Sequence, residues 1–301
     1  MTAVSIEEWT RVESAGGLVN LTPCVKLKLT GPDALRYLNG QVSNDVRRLE
    51  PGHSLPACLC THKGKLEALV QISRGDADTF YITADSLLRD FLPLRLEKYL
   101  IADDAVLEDV TDQYSLVHAF GGHEAPSGAV LSFSAARMGV PGTDLWLPAG
   151  EGAALEWTKP EVLETLRIER GIPSWPHELD SGILPPEARL DESAIDYHKG
   201  CYTGQEVISR LRSVGQVNKK LERLVVPGGG NVEPGWEIVS TNAEGSAVPA
   251  GTITSAAWHP VLRTGIALGF VKRSAAGAEL LAGAPGTRPS TVIEIRKTLD
   301  D

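Results

Sequence analysis

Apolar and polar residues alternate with helix and strand periods through the first two thirds of the chain. The segment LTGPDALRYLNG predicts a short helix, which Thr30 can cap and Asn39-Gly40 ends. SLPACLCTHKGKLEALVQIS predicts a hairpin that turns at Lys63-Gly64, and DTFYITA predicts a third strand. Helical and strand segments interleaved in this way indicate an α+β body with an antiparallel sheet.

The pattern then continues with one more helix and two strands before its character changes. A helix is expected from about 85 to 99, broken or kinked at Pro93, and AVLEDV and YSLVHAF follow as strands. After Gln216 only short strand-like runs remain, separated by Gly, Pro and Asn turns, which is typical of a small barrel or sandwich. We therefore expect a body over 1–215, formed as one unit or two subdomains, and a C-terminal β-barrel over 216–301.

The segment TKPEVLETLRIERGIP predicts a helix from about 159 to 170. Thr158 and Glu161 fit a capping box, and Gly171 follows the last turn. Glu169 comes seven residues after Val162, so it lies at the edge of the apolar stripe and near the unfavourable negative end of the helix dipole. Two interpretations remain open: Glu169 pairs with Arg167 or Arg170 or is simply solvated, or its carboxylate accepts two hydrogen bonds from a ligand.

The segment HKGCYTGQEVISR carries the most reactive residue type in the chain. Thr203 and Glu206 fit a second capping box, so a helix should begin at about Gly204. Cys201 then lies close to the positive end of that helix with Lys199 nearby, and both features favour the thiolate. The alternative is a small buried cysteine that only fills a turn.

Composition narrows the function classes. The formal net charge of −10 argues against broad nucleic-acid binding, which needs many Lys and Arg contacts to phosphates. Four cysteines are too few for a disulfide scaffold, and Cys58 and Cys60 should share one face of a strand without forming a metal site. Neither a membrane-spanning run nor an N-terminal signal pattern is seen, so we expect a cytoplasmic protein.

Three stretches, GPDALRYLNGQVSNDV, RIERGIP and KGCYTGQEVISR, resemble the signature of the YgfZ family of folate-binding proteins, which are relatives of the glycine cleavage aminomethyltransferase (T protein). The resemblance implies antiparallel sheets and helices around a central cavity that holds tetrahydrofolate, with a C-terminal barrel. It also implies a role in assembling or repairing the iron–sulfur clusters of client proteins, including tRNA-modifying enzymes, and we expect a monomer.

The resemblance also suggests roles for individual residues. It makes Glu169 the carboxylate that binds the pterin ring, Cys201 the reactive group with Lys199 beside it, and Arg210, rather than Arg212, the partner of the glutamyl tail. The remaining folate contacts that we expect from the matching motifs are Tyr202, Gln205 and Asn44.

One departure from the T proteins bears on the reaction. T proteins carry an aspartate just beyond the turn of the early hairpin, where this chain has Ala68 and Leu69. Glu67 is adjacent, but strand alternation should turn it to the opposite face. Aminomethyl transfer is therefore the less favoured alternative, and a scaffold without any ligand is a third.

Overall fold

The computed structural model describes residues 4–76, 78–213, 215–242 and 245–297. Within them lie two antiparallel sheets, a closed barrel and five α-helices. The helices are α1 Ile6–Ala15, α2 Ala34–Gln41, α3 Leu92–Glu97, α4 Pro160–Glu169 and α5 Gln205–Ser213. The expected α+β class with antiparallel sheets and a C-terminal barrel is confirmed.

The first sheet has five strands in the order β3-β4-β5-β2-β6. Their bounds are β2 Val25–Thr30, β3 Ser54–Cys60, β4 Leu66–Arg74, β5 Thr79–Ala84 and β6 Val106–Asp109. Leucines and valines of this sheet pack against α2 and α3 to form the largest hydrophobic cluster. The hairpin predicted at Lys63-Gly64 is the β3–β4 connection, and Gly64 has the positive φ of 72° that its turn requires.

The second sheet has four strands in the order β1-β7-β9-β8. They are β1 Gly17–Asn20, β7 Tyr114–Phe120, β8 Leu131–Ala135 and β9 Gly142–Pro148. Trp146, which is fully buried, contacts Tyr81 of the first sheet at 5.1 Å between ring centroids. Aromatic packing therefore joins the two sheets.

The barrel closes in the order β10-β13-β12-β11-β14-β15. Its strands are β10 Lys219–Val225, β11 Glu237–Thr241, β12 Ala247–His259, β13 Thr264–Lys272, β14 Leu280–Gly283 and β15 Thr291–Ile295. The short strand-like runs predicted after Gln216 form these barrel strands. Ile168 of α4 packs against apolar barrel side chains, which attaches the barrel to the body. The exact boundary at 215/216 stays a prediction, and Val214 lies outside the described residues.

Several predicted helix ends shift for physical reasons. Thr30 belongs to β2, and Asp33 occupies the N-cap position of α2. The helix expected over 85–99 is confined to α3, with Pro93 in its first turn, where its missing N–H costs nothing. The capping box at Thr158 is wrong, because Thr158 Oγ1 accepts the backbone N–H of Leu18 at 3.1 Å. Lys159 is the N-cap of α4 instead.

Candidate functional site

Lys199 joins two sequence motifs that are far apart in the chain. Its side chain is 5 % exposed, and Nζ donates to the backbone carbonyl oxygens of Asn39 at 2.7 Å, Val42 at 2.6 Å and Asn44 at 2.8 Å. Burial lowers the pKa of Lys199 to about 8. Three carbonyls at and just beyond the end of α2 thus take all three ammonium donors, which is a helix-capping arrangement.

Ser43 and Asn44 strengthen the same junction. Ser43 Oγ donates to the carbonyl of Ala194 at 2.6 Å and accepts the N–H of Cys58 at 2.8 Å. Asn44 Nδ2 donates to the carbonyls of Pro56 at 2.8 Å and Ser193 at 3.2 Å. The hydrogen bonds of Asn44 therefore fix the segment before Lys199 against the first sheet.

The cysteine motif packs closely against the β3–β4 hairpin at two glycines, Gly204 of the motif and Gly64 of the hairpin turn. Gly204 has a φ of 87°, and a Cβ added there would lie 2.5 Å from the carbonyl oxygen of Thr61. A Cβ on Gly64 would lie 3.0 Å from Cβ of Val207. The two glycines therefore permit close backbone contact.

Cys201 is exposed on the turn that precedes α5. The helix begins at Gln205, and the predicted capping bonds between Thr203 and Glu206 are not seen among the described hydrogen bonds, because Gly204 with its positive φ separates the cap from the helix. Gln205 Nε2 instead donates to the carbonyl of Gly200 at 3.5 Å. The thiol of Cys201 is accessible to solvent and reagents.

Two further cysteines and Tyr202 lie beneath this turn. Cys58 and Cys60 are fully buried in one hydrophobic cluster with Tyr202, as expected for side chains on one face of a strand. Burial raises the pKa of Cys58 to about 12, and it also raises the pKa values of Cys60 and Tyr202. The hydroxyl of Tyr202 has no hydrogen-bond partner among the described residues. The buried thiols of Cys58 and Cys60 are therefore less reactive than the exposed thiol of Cys201.

Glu169 is turned inward as predicted, but it meets a protein partner. His259 Nε2 lies 3.2 Å from Glu169 Oε1, and His259 Nδ1 accepts the backbone N–H of Leu262 at 3.1 Å. The proton therefore resides on Nε2, which donates to the carboxylate. The ring of Trp9 contacts His259 edge-on at 4.6 Å. This contact accounts for the inward orientation of Glu169 without a ligand.

In the described part of the chain, Glu169 forms no ion pair within 4 Å with the neighbouring arginines, and Arg170 donates to the carbonyl of Met138 at 2.8 Å. Arg167 donates to Glu178 at 2.8 Å, to Glu164 at 2.6 Å and to Ser255 Oγ of the barrel at 2.6 Å. Glu178 is fully buried and also accepts from Ser255 Oγ. Arg167 and Glu178 therefore fix the barrel against the body, a role that the sequence did not suggest.

A cavity of about 680 Å³ opens between α5, the loop before Lys199 and the barrel. Its body wall includes Asp191, Tyr197 and Arg212, and Leu211 adds apolar surface. Glu169, Arg210 and Cys201 are not among its lining residues. The basic residues on its barrel side are Lys219, Lys220, Lys272 and Arg273.

Asp191 lines this cavity, and one of its carboxylate oxygens is a hydrogen-bond acceptor without a donor. Its Oδ1 is buried and has no hydrogen-bond partner in the part of the chain that the structure describes. Burial raises the pKa of Asp191, with Lys220 acting in the opposite direction. A buried carboxylate oxygen without a donor costs free energy. Sequence reasoning missed Asp191, because nothing in its spacing distinguishes it from a surface acid.

Tyr197 and Arg212 form a flat surface on the same wall. The Arg212 guanidinium carbon lies 4.1 Å from the Tyr197 ring centroid. Burial raises the pKa of Tyr197 to about 12. Arg212 therefore lines the cavity, whereas Arg210 is exposed on α5 outside it.

The position of the T-protein aspartate is altered by a β-bulge. Cys60 pairs with Leu66 and Leu59 pairs with Ala68, so Glu67 is an extra residue in β4. The alternation of side chains between the two faces of the strand is therefore interrupted at Glu67. The Glu67 carboxylate accepts a hydrogen bond from the buried Arg95 at 2.7 Å, so it is engaged in an ion pair within the protein.

Comparisons with known proteins agree with this architecture. Residues 1–126 match the family described as the GCVT N-terminal domain. The crystal structure of glycine cleavage system aminomethyltransferase T from Bartonella henselae superposes with a TM-score of 0.80 at 16% identity, covering 97% of this chain and 88% of that one. That similarity concerns the fold. In the described residues, no helix has both the length and the apolar character needed to cross a membrane.

Three sequence relatives carry names that concern function. The tRNA-modifying protein YgfZ of Klebsiella pneumoniae is 28% identical over 69% of this chain and 71% of its own length. The aminomethyltransferase of Streptomyces coelicolor is 24% identical over 93% and 83%. The mitochondrial iron-sulfur cluster assembly factor IBA57 homolog of Dictyostelium discoideum is 24% identical over 66% and 60%.

Proposed function

We propose that the chain, which resembles YgfZ and the aminomethyltransferases, is a tetrahydrofolate-binding accessory protein for iron–sulfur cluster enzymes. It would act in the cytoplasm on the assembly or repair of clusters in client proteins, including tRNA-modifying enzymes. The names of the YgfZ and iron-sulfur assembly relatives support the cellular part of this proposal.

The unpartnered carboxylate oxygen of Asp191 in the 680 Å³ cavity carries the folate part of the proposal. A pterin ring presents an N–H beside an exocyclic amino group, and one carboxylate can accept from both. Asp191 fits this need better than Glu169, whose carboxylate already accepts from His259. We therefore place the pterin at Asp191.

The rest of the wall suits the remaining parts of a folate. Tyr197 and Leu211 offer apolar and aromatic surface for the flat central ring, and Arg212 offers a cation for a tail carboxylate. Bound tetrahydrofolate would supply a carrier for one-carbon units. The residues of this chain would bind it, orient the pterin and neutralise its tail.

Cys201 is the proposed reactive group. It is exposed, whereas Cys58 and Cys60 are buried, so it is the accessible thiol of the motif. The Lys199 ammonium is held by three backbone carbonyls, so it is not free to pair with the thiolate. A Cys201→Ala variant should fold normally and fail to restore cluster-enzyme activity in a deletion strain.

Calorimetric titration with tetrahydrofolate tests the folate site. Asp191→Asn keeps the shape but loses the charge, and binding should weaken by about 1 to 3 kcal/mol, the range for a charge-assisted hydrogen bond. Glu169→Gln is the matched comparison and should bind within about 0.5 kcal/mol of wild type. The reverse pattern would place the pterin at Glu169, and no binding by any of the three would refute folate binding.

Aminomethyl transfer is the second candidate, because the aminomethyltransferase relative matches almost the whole chain. Against it stand Ala68 and Leu69 at the hairpin and the ion pair that holds Glu67. Incubation with aminomethylated lipoyl carrier and tetrahydrofolate should give no methylene-tetrahydrofolate. Catalytic formation of that product would establish the transferase instead.

A further inference from the structure

Apolar side chains occupy two faces of the helical region that leads into α3. The turn Ser86–Leu88 and α3 are joined through Arg89 and Phe91, whose backbone angles are helical. The inner face is buried against the first sheet and consists of Leu88, Leu92 and Leu96. A surface helix normally presents polar residues on its other side. Here Leu87, Phe91 and Leu94 follow the spacing i, i+4 and i+7, which groups them on an outer, exposed face.

This exposed apolar surface continues past the end of α3. Leu94 is 68 % exposed, and Ile101 in the loop after the helix is 87 % exposed. α3 contacts β6, the outermost strand of the first sheet, where Val106 is also exposed. Of the 13 large apolar residues exposed in the described part of the chain, six lie within 87–106. We call these six the α3 surface: Leu87, Phe91, Leu94, Tyr99, Ile101 and Val106. Exposed apolar residues scattered singly are ordinary, whereas a concentrated group marks an interaction site.

Carboxylates outnumber cations around the α3 surface. The stretch from Asp85 to Asp112 contains eight acidic and three basic residues. Two of these bases already form ion pairs, Arg89 with Asp112 and Arg95 with Glu67. Five exposed carboxylates of the stretch have no cation within 4 Å among the described residues: Asp90, Glu97, Asp104, Glu108 and Asp109. The surroundings of the α3 surface are therefore negative.

The charge pattern selects the kind of partner. A second copy of this chain would bring like carboxylates together, and a nucleic acid or an anionic lipid surface would be repelled. Asp90 and Glu97 are seven residues apart, so they border the stripe of Leu87, Phe91 and Leu94 on the same side. An amphipathic helix of a partner protein can lay its apolar face along that stripe and place Lys or Arg opposite the two acids.

We propose that the α3 surface docks an amphipathic helix of a partner protein whose apolar face is flanked by Lys and Arg. Leu87 and Leu94 supply the apolar anchors, and Asp90 and Glu97 select a basic partner. None of the six residues of the α3 surface lines the cavity between α5 and the barrel. Partner docking at this surface is therefore independent of the proposed folate site and can be tested separately.

Fluorescence polarisation with a designed helical peptide tests the proposal. The labelled probe has about 18 residues, with leucines along one face and lysines beside them, and a matched peptide carries glutamate in place of each lysine. At low salt the protein should bind the lysine peptide at least about tenfold more tightly than the glutamate peptide. Added salt should reduce this difference, because the charges on the surface are screened.

Two pairs of variants separate the α3 surface from the rest of the protein. The double variant Leu87→Ser and Leu94→Ser should bind the lysine peptide at least about tenfold more weakly, because two apolar side chains are lost from the contact. The control double variant Val130→Ser and Val261→Ser removes exposed apolar side chains elsewhere and should change the affinity by less than about twofold.

A second comparison tests the acidic residues. Asp90→Asn with Glu97→Gln should weaken binding of the lysine peptide at least about threefold, whereas Glu151→Gln with Glu279→Gln, which removes the same charge from exposed positions elsewhere, should weaken it by less than about twofold. Circular dichroism spectra check that every variant is folded.

Three results would overturn the proposal. The first is that the wild-type protein does not bind the lysine peptide, and the second is that the leucine and valine double variants bind it equally well. The third concerns other occupants, tested by sedimentation velocity and by co-sedimentation with vesicles of phosphatidylcholine and phosphatidylglycerol. A dimer, or vesicle binding, that the leucine double variant abolishes would assign the α3 surface to a second copy or to lipid instead.

Discussion

Replacement of Lys199 by methionine separates a structural from a chemical role for this lysine. The substitution keeps the apolar stem that spans the buried junction but removes all three donors. The carbonyls of Asn39, Val42 and Asn44, which lie 2.6–2.8 Å from Nζ, would lose their partner. The folded protein should therefore be less stable, whatever happens to Cys201.

The magnitude follows from two opposing effects. Hydrogen bonds to a charged group contribute about 1.5 to 3 kcal/mol each. The cost of burying the ammonium offsets part of this, since burial lowers the pKa of Lys199 to about 8 and each pKa unit corresponds to about 1.4 kcal/mol. We expect Lys199→Met to lower the free energy of unfolding by about 3 kcal/mol.

Urea unfolding followed by circular dichroism measures this change. Lys63→Met on the exposed hairpin turn is the control and should change stability by less than about 0.5 kcal/mol. If Lys199→Met were as stable as the control yet failed to complement a deletion strain, the structural interpretation would be refuted. Lys199 would then have a chemical role.

Three further predictions follow from buried and strained positions. Asp191→Asn should raise the stability of the folate-free protein at pH 7, because the raised pKa of Asp191 makes its charged carboxylate a cost above that pKa. The advantage should vanish below about pH 4, where the wild-type carboxyl is also neutral, and thermal unfolding at both pH values measures it. Iodoacetamide should label Cys201 in the folded protein and leave Cys58 and Cys60 unlabelled until urea unfolds the chain, as mass spectrometry of the peptides would show. Fast labelling of Cys58 and Cys60 in the folded protein would contradict their burial. Gly204→Ala should cost at least about 2 kcal/mol in urea unfolding, since its φ of 87° and the nearby Thr61 carbonyl both exclude a Cβ, whereas Gly200→Ala meets no neighbour and should cost less.

The sequence predicted the elements whose signals are local. The early hairpin has a turn residue with positive φ, and α4 has Pro at its start and Gly after its end, so short-range chemistry decides both. It also predicted the β-rich end of the chain, because turn residues separate the strands at regular spacing. The two capping boxes failed because tertiary contacts took over: Thr158 satisfies a strand N–H, and Gly204 adapts to the hairpin.

The candidate site was harder to predict because its partners are distant in sequence. The inward tilt of Glu169 followed from helical spacing, but its partner His259 is 90 residues away, and spacing carries no such information. Arg212 rather than Arg210 lines the cavity, a choice that depends on how α5 rotates against the barrel. Asp191 has no motif of its own, and its unpartnered oxygen is visible only once the fold is built.

A crystal structure of the protein with tetrahydrofolate tests the central claim most directly. The account predicts the pterin ring in the cavity between α5 and the barrel, with Asp191 accepting from its ring N–H and amino group and the tail directed toward Arg212. Pterin density beside Glu169, with His259 displaced and the Asp191 cavity without folate, would contradict it.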